Sequence, residues 1–245
     1  MSISKLLSHS WHVYSQNAKL ISFFSIPFLV AFPLALLLPN FIAVAGVFLR
    51  FESLQSDLDL TGAAIILAAF LLALLLFSFA VAAINVIIKH QRTMTRVSTS
   101  DFDNIEVATF KLFGIFLAAF LVILFANFLI LEYWADAPVW LAPLFTLLVS
   151  LSVLFAPQAV VLEEVHLLSA IKRSVAIICT RFYYFVFFIC LASILLLANG
   201  YVFLHLERYA YWWAYVGVAV NALILTPFFE VLKSQIFLSK YPLLK

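Results

Sequence analysis

An all-α, polytopic membrane fold follows from three observations: six long apolar stretches, few charges, and basic residues crowded onto one side of the implied bilayer. Of 245 residues, 66% are hydrophobic and 11% charged, with a mean hydropathy of +1.15. A soluble domain carries about 25% charged residues, so lipid must solvate much of this surface. The 27 Phe and only 5 Gly, with no Gly-x-x-x-Gly pair, predict helices packed through large side chains rather than close backbone contacts.

The first apolar stretch, Leu20 to Leu49, runs thirty residues without a charge and contains Pro27, Pro33 and Pro39. Crossing a bilayer takes roughly 20 residues, so one kinked or tilted span is expected. Lys5 and Lys19 precede a stretch too long for a signal-peptide core, which predicts that this span is retained. The second span, Leu60 to Ile88, ends in Lys89, His90, Arg92 and Arg96. The third covers about Leu112 to Leu131, and after the acidic link Glu132 to Asp136 the fourth covers Pro138 to Leu162. Phe182 to Leu206 and Tyr211 to Leu232 form the fifth and sixth, joined by a group of Tyr and Trp that suits the membrane interface.

Charge gives an orientation that hydropathy does not. Lys5, Lys19, Lys89, Arg92, Arg96, Lys111, Lys172, Arg173, Arg181, Lys233, Lys240 and Lys245 fall on one side of a six-span layout, against Arg50 and Arg208 on the other. Basic residues in short loops stay cytoplasmic, which places both termini in the cytoplasm of a cell membrane. Two of the basic segments have helical periodicity. Ile3, Leu6, Leu7, Tyr14 and Ala18 oppose Lys5, His9, His12 and Gln16, and Leu168, Ile171, Val175, Ile178 and Phe182 oppose His166, Arg173 and Thr180. Both read as amphipathic helices on the membrane surface. A third candidate, Asp101 to Phe113, starts after Ser100 as its N-cap. Interfacial helix plus two spans then makes a unit that recurs in residues 1–97, 98–162 and 163–245 of a single membrane domain.

Candidate chemistry is sparse. His9 and His12 are three apart on a helix but have no third ligand in the pattern, so no metal and no cofactor is expected. Glu230 is the deepest acid. It is a candidate relay because intramembrane carboxylates often mark pathways, although Lys233 one turn later suggests that either side chain reaches the interface. Asn85, Asn127, Gln158, Asn199 and Asn221 lie within spans and suit hydrogen bonds between helices. Cys179 and Cys190 are eleven residues apart, too far for a disulfide within one helix. With a net charge of +2 and no basic run between aromatic platforms, nucleic acid is not an expected partner.

The stretch Pro157-Gln158-Ala159-Val160-Val161-Leu162-Glu163, then Ala170-Ile171-Lys172-Arg173-Ser174, then the aromatic run from Phe182, resembles the membrane-domain family named for glycerophosphoryl diester phosphodiesterases, with its stand-alone archaeal and bacterial relatives. The resemblance implies a six-span layout with interfacial helices. In fused members of that family the hydrolase is a separate soluble domain, and no stretch here is long or polar enough to be one, so the activity does not carry over. Pro157, Glu163 and Ser174 are expected to act structurally, the proline bending the fourth span so that Glu163 meets the helix of Lys172 and Arg173. Arg92, Arg96, Lys172, Arg173 and Arg181 are candidate ligands for anionic lipid headgroups.

The functional expectation is a non-catalytic membrane scaffold, lipid-contacting module or accessory subunit, with membrane lipids and other membrane subunits or further copies of itself as partners. The alternative is a transporter or permease subunit for a lipid or apolar small molecule, since prolines in three spans suit broken helices around a pathway.

Overall fold

The computed structural model describes residues 2–36, 41–44, 47–50, 60–93, 100–133, 138 and 140–239. Helix α1 (Ile3–Gln16) opens with Ser2, whose hydroxyl accepts from the Lys5 amide, and a corner at Asn17 leads into α2 (Ala18–Leu36). A short antiparallel ribbon follows, β1 (Phe41–Val44) on β2 (Val47–Arg50). The long helices α3 (Leu60–Thr93) and α4 (Ser100–Tyr133) come next, then α5 (Leu141–Val153), α6 (Ala156–Leu162), α7 (Leu167–Thr180), α8 (Phe182–Glu207), α9 (Trp213–Val220), a π-helical turn at Asn221–Leu225, and α10 (Thr226–Leu238).

Five helical segments among the described residues are long and apolar enough to cross a membrane: Ala64–Gln91, Asp103–Ile130, Leu141–Leu162, Phe182–Glu207 and Trp213–Leu238. The first apolar stretch departs from expectation. It is not one helix from Leu20 to Leu49, because the helix stops at Leu36 and the chain is paired as a ribbon from Phe41. Pro27 and Pro33 lie inside α2, and Pro39 lies outside the described residues. The expected surface helix Asp101 to Phe113 is likewise not a separate element, being the first part of α4.

α3 is the central helix, packed on α2, α4, α6 and α10. Its residues Ala80 to Ile88 are all buried, as are Val153 to Val161 around the α5–α6 junction and Pro227 to Ser234 of α10. Segments buried on every face form the middle of the bundle, and these three pack on one another there. Aromatic rings fill the remaining space. Phe28, Phe77 and Phe116 connect α2, α3 and α4 at centroid distances of 5.2 and 5.8 Å, and Phe155, Phe188 and Phe229 connect the α5–α6 junction, α8 and α10 at 6.4 and 6.1 Å. Two buried hydroxyls pair inside their own helices, Ser25 on the Ile21 carbonyl at 2.7 Å and Ser78 on that of Leu74 at 2.7 Å.

α8 is the most peripheral span, with 11% of its apolar window buried against 61% for the α5–α6 span. It approaches a neighbour tightly at Gly217 of α9, where a Cβ would lie 2.8 Å from Phe203 Cβ and 2.9 Å from Phe203 Cγ. Small-residue packing, absent as a sequence motif, operates at this one contact. Gly217→Ala is therefore expected to destabilise the protein. Overpacking costs roughly 1–3 kcal/mol, which outweighs the gain of up to about 1 kcal/mol from helix propensity. Thermal unfolding in detergent micelles checks this, with Gly200→Ala, where a Cβ meets nothing within 4 Å, as the control.

Candidate functional site, a buried polar hub

The three fully buried segments bring polar side chains to a common point: Asn85 on α3, Gln158 on α6, and Glu230 with Lys233 and Ser234 on α10. All are at most 4% exposed. Gln158 Nε2 donates to Glu230 Oε2 at 3.1 Å and to Asn85 Oδ1 at 3.4 Å, while Asn85 Nδ2 reaches Glu230 Oε2 at 3.5 Å and the Val81 carbonyl at 2.8 Å. Ser234 Oγ lies 2.7 Å from Asn85 Oδ1 and 2.8 Å from the Glu230 carbonyl, its single proton serving one at a time. The second carboxylate oxygen of Glu230 is 2.6 Å from Lys233 Nζ.

This arrangement corrects the expectation that Glu230 or Lys233 reaches the interface, since their side chains are 4% and 5% exposed. Removing two opposite charges from water is costly, and the cost is tolerable here because each finds its counter-ion and further hydrogen bonds. Lys233 also donates to the Leu154 carbonyl at 3.5 Å. Gln158 Oε1 is buried without a hydrogen-bond partner.

The Leu154 carbonyl is available because the span is broken there. Pro157 stands in the first turn of α6 and cannot donate an amide, so helical pairing lapses between Val153 and Ala156. The amide of Phe155, released by the same break, donates to Ser174 Oγ of α7 at 3.0 Å. α6 then ends at Glu163, which forms an ion pair with Arg173 of α7. Glu164 takes left-handed backbone with φ of 55°, which costs a non-glycine residue about 1–2 kcal/mol and turns the chain toward α7. Lys89 pairs with the Glu164 carboxylate at 2.5 Å. That hydrogen bond, then the charge of Lys89, holds the Glu164 carboxyl below its ordinary range, with Lys111 adding to the effect.

Lys172 is exposed, and Arg181, nine residues on, hydrogen-bonds the Ser239 carbonyl at 3.4 Å. The side chain of Arg92 and the whole of Arg96 lie outside the described residues. His9 and His12 border an open depression of about 490 Å³ along α1 with Ser4, Lys5 and Ser8. Among the described residues no three His, Cys, Asp or Glu side chains are grouped as a metal site would require. Cys179 and Cys190 are exposed thiols on consecutive helices, α7 and α8.

Sequence reasoning singled out Glu230, Asn85 and Gln158 separately and missed Ser234, as well as the role of Lys233 inside the bundle. A signal was present, since each polar residue interrupts an apolar run that a lipid-facing stripe alone would not require. No known protein family matches the chain, and neither does any curated protein or solved structure.

Two outcomes are expected. Glu230→Gln or Lys233→Met alone leaves a buried charge without its partner and should cost about 3–5 kcal/mol, whereas the double variant should recover most of that loss. A double-mutant cycle on unfolding in micelles measures the difference. For Glu164 the folded carboxyl titrates below its unfolded value, so the pairing contributes stability above the ordinary carboxylate range and loses it as pH falls through the lowered value. Lys89→Met should move the Glu164 midpoint upward in a carboxyl-resolved NMR titration; an unmoved midpoint would refute the pairing.

Proposed function

We propose that this chain is a six-span, non-catalytic membrane protein with both termini in the cytoplasm, acting as a lipid-contacting scaffold or accessory module. The observation that carries this reading is the commitment of the hub. Both oxygens of the Glu230 carboxylate are engaged by protein groups on three helices, so the deepest acid ties spans together instead of waiting for a substrate.

The remaining span, first in the chain, is α2. Its 19 residues rise about 28 Å, close to the roughly 30 Å of a hydrocarbon core. α1 and α7 are the interfacial helices of this reading. α1 buries Leu6, Ser10, Val13 and Tyr14 and exposes Lys5, His9, His12 and Gln16. α7 buries Ala170, Ser174 and Ile177 and exposes Lys172 and Arg173. Exposed apolar residues flank those polar faces, Trp11 on α1 and Leu168 and Val175 on α7, as a helix lying in the headgroup layer needs.

Triplication is supported by matching burial. Leu6-Ser10-Val13, Ile105-Thr109-Leu112 and Ala170-Ser174-Ile177 share the spacing of four and three, and all nine residues are buried. The hub residues Asn85, Gln158 and Glu230 stand in the second span of the three units, 1–97, 98–162 and 163–245. The likeness of Pro157 to Ser174 to the phosphodiesterase-associated membrane domains supports the same layout without bringing a hydrolase. Transport of a lipid or apolar small molecule is the second reading. It is favoured by the two interrupted spans, broken at Leu154–Phe155 and at the π turn Asn221–Leu225, since discontinuous helices often border substrate pathways.

The test is native mass spectrometry after gentle extraction. Each cation near the surface contributes about 1 kcal/mol to anionic-lipid binding, so Lys5→Gln with Lys172→Gln should lower retained phosphatidylglycerol relative to phosphatidylcholine by roughly tenfold or more. Unchanged retention counts against lipid contact, and a stoichiometric protein companion identifies an accessory subunit.

A further inference from the structure

Both interrupted spans owe their breaks to proline, and in both a short helix crossing the bundle end takes up a backbone group that the break releases. In the fourth span this is the Phe155 amide on Ser174 Oγ. In the sixth, Pro227 has no amide with which to pair the Leu223 carbonyl four residues earlier. The chain widens into the π turn, Thr226 pairing back to the Asn221 carbonyl, and the Leu223 carbonyl accepts from Tyr14 Oη of α1 at 3.4 Å. Burial pushes the Tyr14 phenol up, so the hydroxyl keeps its proton and donates.

We propose that α1 and α7 are latches on the sixth and fourth spans, and that contact with the lipid leaflet sets them. The parts that face lipid adjoin the latching groups. On α1 the ring of Trp11, 58% exposed, stands 5.9 Å from Tyr14 and 6.0 Å from Phe228 of α10, and Tyr14 meets Phe228 edge-on at 5.9 Å. On α7, Val175 follows Ser174 directly and is exposed. Any rotation or lift of either helix in the headgroup layer therefore moves the hydroxyl that closes a break.

The two latches differ in what they guard. Releasing Ser174 strands a buried donor at Phe155, beside the Leu154 carbonyl that Lys233 holds, so the fourth span opens toward the hub. Tyr14 strands only an acceptor, and the π turn has an internal support in Thr226 Oγ1 on Asn221 Oδ1 at 3.3 Å. The fourth-span latch is the stronger lever on the bundle centre. Because the lipid-set part rests on the lipid-contact reading, its test separates the two.

Amide exchange of the full chain in lipid nanodiscs provides that separation. Ser174→Ala should accelerate exchange at Phe155 by about tenfold, the effect of one lost buried hydrogen bond on a local opening equilibrium, and leave Thr226 unaltered. Tyr14→Phe should accelerate Thr226 and leave Phe155 unaltered. Ser174→Thr, which keeps a hydroxyl, should restore slow exchange at Phe155. In the unmodified protein, replacing phosphatidylcholine by a mixture with phosphatidylglycerol should change exchange at both positions, and each hydroxyl deletion should abolish the response at its own break alone. Unaltered exchange in both deletions overturns the latches and leaves lipid contact standing on its retention test. Faster exchange in the deletions, with no response to lipid composition in the unmodified protein, overturns the setting of the latches by the leaflet.

Discussion

The carboxylate of Glu230 lies where three spans meet, and the architecture is arranged so that it is never without donors. Asn85 and Gln158 must approach it from α3 and α6, and Lys233 must fold back along α10, which fixes the rotation and height of each helix relative to the other two. An apolar junction of the same size would tolerate a helix slipping by a turn. A charged one does not, because a slip would leave an ion in the low-dielectric interior with no counter-ion.

The same accounting governs the backbone. Prolines at 157 and 227 delete donors inside segments that are otherwise buried, and hydrocarbon offers no water as a substitute. Backbone groups left open at the two interruptions find partners on other elements: the Phe155 amide on Ser174, the Leu154 carbonyl on Lys233 and the Leu223 carbonyl on Tyr14. This explains why helices as short as α1 and α7 pack tightly on α10 and α6 instead of resting loosely at the surface. Aromatic rings pack beside the first of these points, Phe155 against Phe188 and Phe188 against Phe229.

Much of the helical layout was legible because apolar length is a local property. The fifth stretch, expected from Phe182 to Leu206, is α8 from Phe182 to Glu207. Where the reading departed, the deciding contact was distant in sequence. Nothing near Glu230 indicates that Asn85, 145 residues away, and Gln158, 72 residues away, will meet it. Lys233 one turn along made an escape to water look natural, and only the burial of that whole face of α10 removes the route. The bend at Pro157 was visible as a proline, but not that Ser174 would accept the amide it frees. In the first apolar stretch, uncharged length was read as span. Only its first part, to Leu36, is described as helix, and from Phe41 the chain pairs across a ribbon whose partner strand, Val47–Arg50, periodicity did not announce.

The hub also imposes an order on how the protein comes into being. Asn85 and Gln158 enter the bilayer on helices made well before the carboxylate they serve, so during synthesis two amides wait in or near the membrane without their acceptor. The first four apolar helices are consequently an incomplete assembly until α10 is inserted, however well each is threaded. Insertion of the earlier helices would then precede completion of the hub. The interval between them is when a chaperone, a quality-control protease or a neighbouring subunit would find exposed polar groups to recognise, and it closes as Glu230 reaches its place.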